Sequence, residues 1–133
     1  MWFSRITNAV LTRVKAVVGK KLSTRYPDIN FTTASNSSTE TVFPTVYIRR
    51  MQGTERGQSL DGAEVNAMLV NFQIEVIDNI SDTRAQEVAD EVCSVMKSMR
   101  FQIIGEPFPN NTQNGIHRNV ARYQRIIGYD DTL

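Results

Sequence analysis

Three carboxylates that lie close together in the chain have the types and spacing for acid–base or metal chemistry. Glu87, Asp90 and Glu91 fall within a helical pattern, in which Glu87 and Glu91 share one side while Asp90 diverges from Glu91. Paired carboxylates can transfer protons or bind a metal ion. These residues also lie on the polar side of an amphipathic helix, where carboxylates usually form a solvated surface. We therefore predict no catalytic residue among them.

The other residues suited to nucleophilic or metal chemistry are single. The chain contains one histidine, His117, and one cysteine, Cys93, whereas a typical zinc site combines several His and Cys ligands. The sequence has no Gly-x-Ser-x-Gly elbow and no nucleotide-binding glycine fingerprint. We therefore expect a protein that is not an enzyme and that takes no cofactor and no metal.

Length and cysteine content set the broad class. A chain of 133 residues is predicted to form a single domain, 1–133, that folds without a disulfide or a metal. One unpaired cysteine and the lack of a signal-peptide pattern predict assembly in a reducing cytoplasm. The sequence has no apolar run of membrane-spanning length, so no membrane association is expected.

Arginines gather on two segments predicted to be strands and on the loop after the first of them. Neighbouring tyrosines, Tyr47 and Tyr123, could stack on RNA bases. The formal net charge is only +1, however, whereas nucleic-acid-binding domains are usually clearly basic. Arginine and tyrosine are also enriched in protein interfaces, which we favour. The predicted interface residues are Arg49, Arg50, Arg56, Arg118, Arg122, Tyr123 and Arg125.

The stretch from Asn66 to Ile104 is predicted to be a strand, a helix and a strand, and it organises the rest of the chain. From Met68 to Ile77 apolar and mostly polar residues alternate, as in a strand with one buried face. From Ala85 to Met99 apolar residues recur at spacings of three and four, as on one side of a helix. The second strand begins at Phe101.

Further elements flank this unit. An amphipathic basic helix is predicted over Met1–Leu22 and a strand over Val42–Met51. A hydroxyl-rich loop, Thr32–Thr41, precedes that strand, and a long hairpin loop, Gln52–Gly62, follows it. After the central unit we predict a turn or extended loop over Glu106–Gly115 and a last strand over Arg118–Ile127.

The order α-β-β-α-β-β predicts an α/β (α+β) fold. Two antiparallel hairpins joined by a crossover helix give a mixed four-stranded sheet, and the strands on either side of that helix should run parallel. The central strand is apolar on one face only, so both helices should pack on that face as a two-layer sandwich. The polar face of Asn71, Gln73 and Glu75 is then expected to meet water, a lumen or another subunit.

The order and character of these segments resemble those of the tail-terminator, or tail-completion, proteins of long-tailed bacteriophages. The resemblance covers roughly Ile6 to Gly128. The resemblance rests on an N-terminal amphipathic helix and on four further segments: Phe43–Ile48 (FPTVYI), Val70–Val76 (VNFQIEV), Ala85–Val92 (AQEVADEV) and Val120–Ile127 (VARYQRII).

The resemblance implies a structural virion protein that forms a ring, usually of six subunits, at the head-proximal end of the tail tube. Such a ring ends tube polymerisation and joins the tail to the head connector, and genomic DNA passes through its lumen without sequence-specific binding. The implied partners are other copies of the chain, the tail tube protein and a head-closure or connector protein. The implied location is the tail or neck of the virion, assembled in the host cytoplasm. We expect Gln52–Gly62 and the arginine-rich last strand to contribute contacts.

Three other functions stay open at this point. The nearest is a head-closure, or stopper, protein of the neck, which also forms rings. A small nucleic-acid-binding domain would show tight, salt-sensitive binding as a monomer. An enzyme using the helix carboxylates would show metal-dependent activity that Asp90→Asn abolishes.

Overall fold

The computed structural model describes residues 2–33, 42–58, 65–111 and 115–133. The predicted hydroxyl-rich loop lies outside these ranges from residue 34 to 41, and the predicted hairpin loop lies outside them from residue 59 onward. In chain order the elements are a 3-10 turn (Trp2–Arg5), α1 (Ile6–Leu22), β1 (Asn30–Thr32), β2 (Thr45–Gln58), β3 (Val65–Asp78), α2 (Asp82–Ser98), β4 (Gln102–Pro109) and β5 (His117–Gly128).

The fold is a mixed α+β arrangement of two helices and one open sheet with strand order β1-β2-β3-β5-β4. The sheet has five strands, so the prediction of four was wrong. The extra strand, β1, is only three residues long, too short for an alternating pattern, and it pairs in parallel with the start of β2. The other pairs are antiparallel. β3 and β4 run in the same direction, as predicted, but β5 lies between them.

Two predicted loops turn out to be strand over part of their length. β2 continues to Gln58 through a bulge in which Gln52 and Gly53 face the single residue Val70 of β3. The predicted loop Gln52–Gly62 is therefore wrong over its first half. β4 continues through Pro107 to Pro109, although prolines suggested a turn. Proline lacks the N–H that a central strand must donate, but β4 is the last strand of the sheet and tolerates it.

One core lies between the sheet and both helices. The apolar stripes of α1 and α2 pack against the inward faces of β2, β3 and β5 in a single cluster. The apolar face predicted for β3 is confirmed, because Val70, Phe72, Ile74 and Val76 all belong to this core. Both helices occupy this side, so the other side of the sheet carries no helix among the described residues. We call that other side the open sheet face.

The ends of α2 are fixed by local hydrogen bonds. At the N-terminus the Ser81 hydroxyl accepts a hydrogen bond from the Arg84 amide at 3.2 Å and caps the helix. At the C-terminus Arg100 takes a left-handed backbone conformation with φ of 66°. Its amide donates to the Lys97 carbonyl, and the Phe101 amide donates to the Met96 carbonyl. This paired arrangement ends the helix and turns the chain into β4.

Candidate subunit interface

The open sheet face is assembled from three long neighbouring strands. Residues directly opposite each other on paired strands point to the same side of a sheet. Arg49 of β2 lies opposite Gln73 of β3, and Gln73 lies opposite Arg122 of β5. This register therefore gathers arginines from both flanking strands around the polar positions of β3.

The polar residues of β3 are covered by these arginines. Arg118 forms an ion pair with Glu75, and the Arg122 Nε donates to the Gln73 side-chain oxygen at 3.1 Å. The Gln73 amide donates in turn to Glu75 at 2.8 Å. Gln73 and Glu75 are each only 7% exposed, so the expectation that the polar face of β3 meets water or a partner directly was wrong for these two residues, whereas Asn71 is half-buried. A neighbouring molecule would meet the arginines instead.

Large apolar side chains lie on the same face. Phe108 of β4 is paired with Val120, which occupies the same side of β5 as Arg122, and Phe108 is 63% exposed. Ile126, further along that side of β5, is 54% exposed. Exposed aromatic and aliphatic groups beside arginines are the usual composition of a protein interface.

The seven predicted interface residues do not all share this face. Arg49, Arg56 and Arg122 are exposed on it, and Arg118 is half-buried over Glu75. The other three, Arg50, Tyr123 and Arg125, point to the helix side of the sheet. The alternation along each strand was the signal that could have separated the two groups, because a residue and its neighbour point to opposite faces.

Those three residues serve the interior of the fold. The Arg50 Nη1 donates to the Phe3 carbonyl at 2.6 Å and ties the N-terminal turn to β2, and burial lowers the pKa of its guanidinium. Tyr123 is fully buried, and burial raises the pKa of its hydroxyl. Arg125 is 8% exposed, and burial followed by the nearby Arg100 lowers its pKa.

The opposite side of the molecule carries the helix carboxylates along an open groove beside α2. Glu91 pairs with Lys21 at 2.9 Å, and Glu87 pairs with Arg25 and accepts a hydrogen bond from the Tyr26 hydroxyl at 2.6 Å. These pairs connect α2 with α1 and the segment after it. Asp90 is exposed, and its side-chain Oδ1 accepts a hydrogen bond from the Gln86 amide at 2.7 Å.

At the start of this groove Asp82 binds two side chains from other segments. Its Oδ1 lies 2.8 Å from the His117 Nδ1 and 3.0 Å from the Asn111 Nδ2. In the part of the chain that the structure describes, no three His, Cys, Asp or Glu side chains converge in the manner of metal ligands.

We expect Asp82 to titrate below the ordinary aspartate pKa of about 3.9. The Asn111 hydrogen bond lowers this pKa most, followed by His117. A carboxyl whose pKa is depressed by folding stabilises the native state above its unfolded pKa, and that contribution disappears as the pH falls through the folded pKa. A carbon-detected NMR titration should show the low pKa, and Asn111→Ala should raise it. An unchanged pKa in that variant would contradict the assignment.

Comparison of the chain with models of known protein families gives no match, and comparison with curated protein sequences gives none either. No helix within the described ranges is long and apolar enough to cross a membrane.

Proposed function

We propose that this chain is a structural subunit that assembles into a ring at the head-proximal end of a phage tail tube, as a tail terminator. The ring would end tube polymerisation, join the tail to the head connector and let DNA pass through its lumen. Its partners would be other copies of the chain, the tube protein and the connector, within the virion. The finer picture of six subunits comes from the resemblance in sequence pattern.

The observation that supports this proposal most is the open sheet face. A sheet with one face packed on the core commonly carries polar residues on its solvated face, without large apolar ones. Here the face combines exposed arginines with Phe108 and Ile126. Such a surface suits a protein that works by contact with other proteins.

The proposal assigns no catalytic role to the helix carboxylates. Glu87 and Glu91 each pair with a cation from the α1 side, and Asp82 binds His117 and Asn111. These contacts support a structural role for the three carboxylates, which leaves Asp90 as the carboxylate to test. Metal-dependent activity that Asp90→Asn abolishes would contradict this part of the proposal.

The proposal is tested by reversing two charges on the open sheet face. Arg56→Glu together with Arg122→Glu should abolish most ring formation or tube capping, because both side chains are exposed and like charges across an interface are strongly unfavourable. Negative-stain imaging of the protein, alone and mixed with tail tubes, would count rings and capped tube ends. Circular dichroism would verify that the variant is folded.

A matched control carries the same change in charge elsewhere. Arg5→Glu together with Arg13→Glu alters two exposed arginines at the helix layer and should leave capping intact. Wild-type levels of tail joining by the Arg56→Glu, Arg122→Glu double variant would contradict the proposal. Rings that bind head connectors but ignore tail tubes would instead indicate the alternative function, a head-closure protein.

The arginines also favour a second candidate, a small nucleic-acid-binding domain, because Tyr47 and Arg49 lie on the same side of β2. This function predicts tight binding of single-stranded RNA or DNA by the isolated chain, falling steeply with salt. Fluorescence anisotropy across a range of salt concentrations separates the two, since an assembly subunit should bind nucleic acid weakly or not at all.

A further inference from the structure

We infer that the open sheet face of one copy docks on the α2 groove of the next copy, so that subunits assemble front to back. This inference rests on the proposed ring and names the two surfaces that would form it. The partner that binds the open sheet face is thus a second copy of this chain, and the part of it that is bound is the acidic surface of α2.

The two surfaces have opposite charge. On strands β2 and β5 the open sheet face carries Arg49, Arg56 and Arg122 as exposed cations, while the buried carboxylate of Glu75 on β3 is already paired with Arg118. The groove beside α2 presents Asp90, which has no cationic partner among the described residues, and Asp82, which is about half exposed. Complementary charges of this kind select a partner and fix its orientation.

The two surfaces also lie on opposite sides of the molecule. α2 packs on the inward face of the sheet, so its solvent side and the open sheet face point away from each other. A surface whose complement lies on the opposite side of the same subunit makes a head-to-tail contact. Repetition of that contact closes a ring or extends a filament, whereas a surface that matched itself would stop at a dimer.

The other helix is a poor docking site for the same face. The exposed side of α1 carries Arg13, Lys15 and Lys20, which would repel the arginines of the open sheet face. The groove beside α2 is bordered by Pro109, and the sheet face contributes Phe108 and Ile126 as apolar contacts. Charge and apolar surface therefore both favour α2.

A charge exchange between the two surfaces tests this arrangement. Arg122→Glu and Asp90→Lys should each weaken self-association by about tenfold or more, because each places like charges across the contact. An equimolar mixture of the two variants should associate again. In the mixture the altered sheet face of the Arg122→Glu variant can meet the altered groove of the Asp90→Lys variant, and the two unaltered surfaces can meet each other. Sedimentation velocity would measure the association of each variant and of the mixture.

The control variant is Arg13→Glu, which is used in place of Arg122→Glu. This variant carries the same change in charge on α1, so it should associate normally by itself. In a mixture it should leave the altered groove of the Asp90→Lys variant unoccupied, because its own sheet face still carries Arg122. Circular dichroism would verify that each variant is folded. Failure of the mixture to regain association would overturn the inference, as would a wild-type protein that stays monomeric at all concentrations.

The outcomes also separate this inference from the proposed function. Capping of tail tubes by the wild type, without rescue by the charge exchange, would overturn the inference and leave the terminator function standing. Rescue of self-association by a protein that never caps tubes would support the front-to-back contact and overturn the terminator function. If the wild-type protein showed no self-association and no capping of tubes, both the inference and the terminator function would be overturned.

Discussion

Replacing Phe72 by alanine is expected to lower the free energy of unfolding by about 3–5 kcal/mol. Phe72 is 1% exposed on β3 and packs edge to face against Phe101, with ring centroids 5.8 Å apart. The substitution removes buried apolar surface and leaves a cavity that the sheet and α2 can close only in part. Small domains are stable by only about 5–15 kcal/mol, so this loss would be a large fraction of the free energy of unfolding. It is the largest loss that we predict from one side chain.

Urea denaturation monitored by circular dichroism would measure this loss. The matched control is Phe108→Ala, the same deletion at a side chain that is 63% exposed. We expect that variant to change stability by less than about 1 kcal/mol. Similar losses of stability at both positions would show that Phe72 is not part of the core between the sheet and the helices.

Replacing Gly53 by alanine is expected to destabilise the protein by about 3 kcal/mol, the upper range for overpacking. A Cβ atom at this position would lie 2.0 Å from the Leu69 carbonyl oxygen. The obstacle is backbone rather than the end of a flexible side chain, so the bulge between β2 and β3 would have to open. Hydrogen exchange should then accelerate at the amides of this strand pair more than at those of α2.

Gly105→Ala is the matched control, since it places the same methyl group on another strand of the sheet. Its nearest neighbour would be the Arg122 Cβ at 3.5 Å, an ordinary contact. Thermal and urea denaturation should show a change of less than about 1 kcal/mol. If Gly53→Ala proved as mild as this control, the bulge geometry would be wrong.

The elements with strong periodicity could be predicted from the sequence. The alternation around Phe72 identified β3 and its buried face, and the stripe from Ala85 to Met99 identified α2. The ends of β2 and β4 could not be read in the same way. Gly53 and Pro107 usually interrupt a strand, and here a bulge and an edge position accommodate them.

The candidate interface was predicted only in part, because composition gives residue types while strand register gives positions. Arg49 and Arg50 look alike in sequence, yet one faces solvent and the other binds the Phe3 carbonyl. The burial of Glu75 depends on Arg118 arriving from β5, forty-three positions later in the chain. No local sequence pattern predicts the pairing of Arg118 with Glu75. The residues of β5 that share one face could, in contrast, be predicted from the alternation along that strand.

The bulge at Gly53 interrupts a sheet edge that would otherwise be long and regular. β1 pairs with β2 only over Thr45–Tyr47, so among the described residues the outer edge of β2 has no strand beside it from Ile48 onward. A long regular edge of this kind invites any extended chain to add to it and start a fibril. The bulge breaks the even spacing of backbone donors and acceptors along that edge. An edge interrupted in this way is a poorer template for the addition of a strand than a regular edge would be.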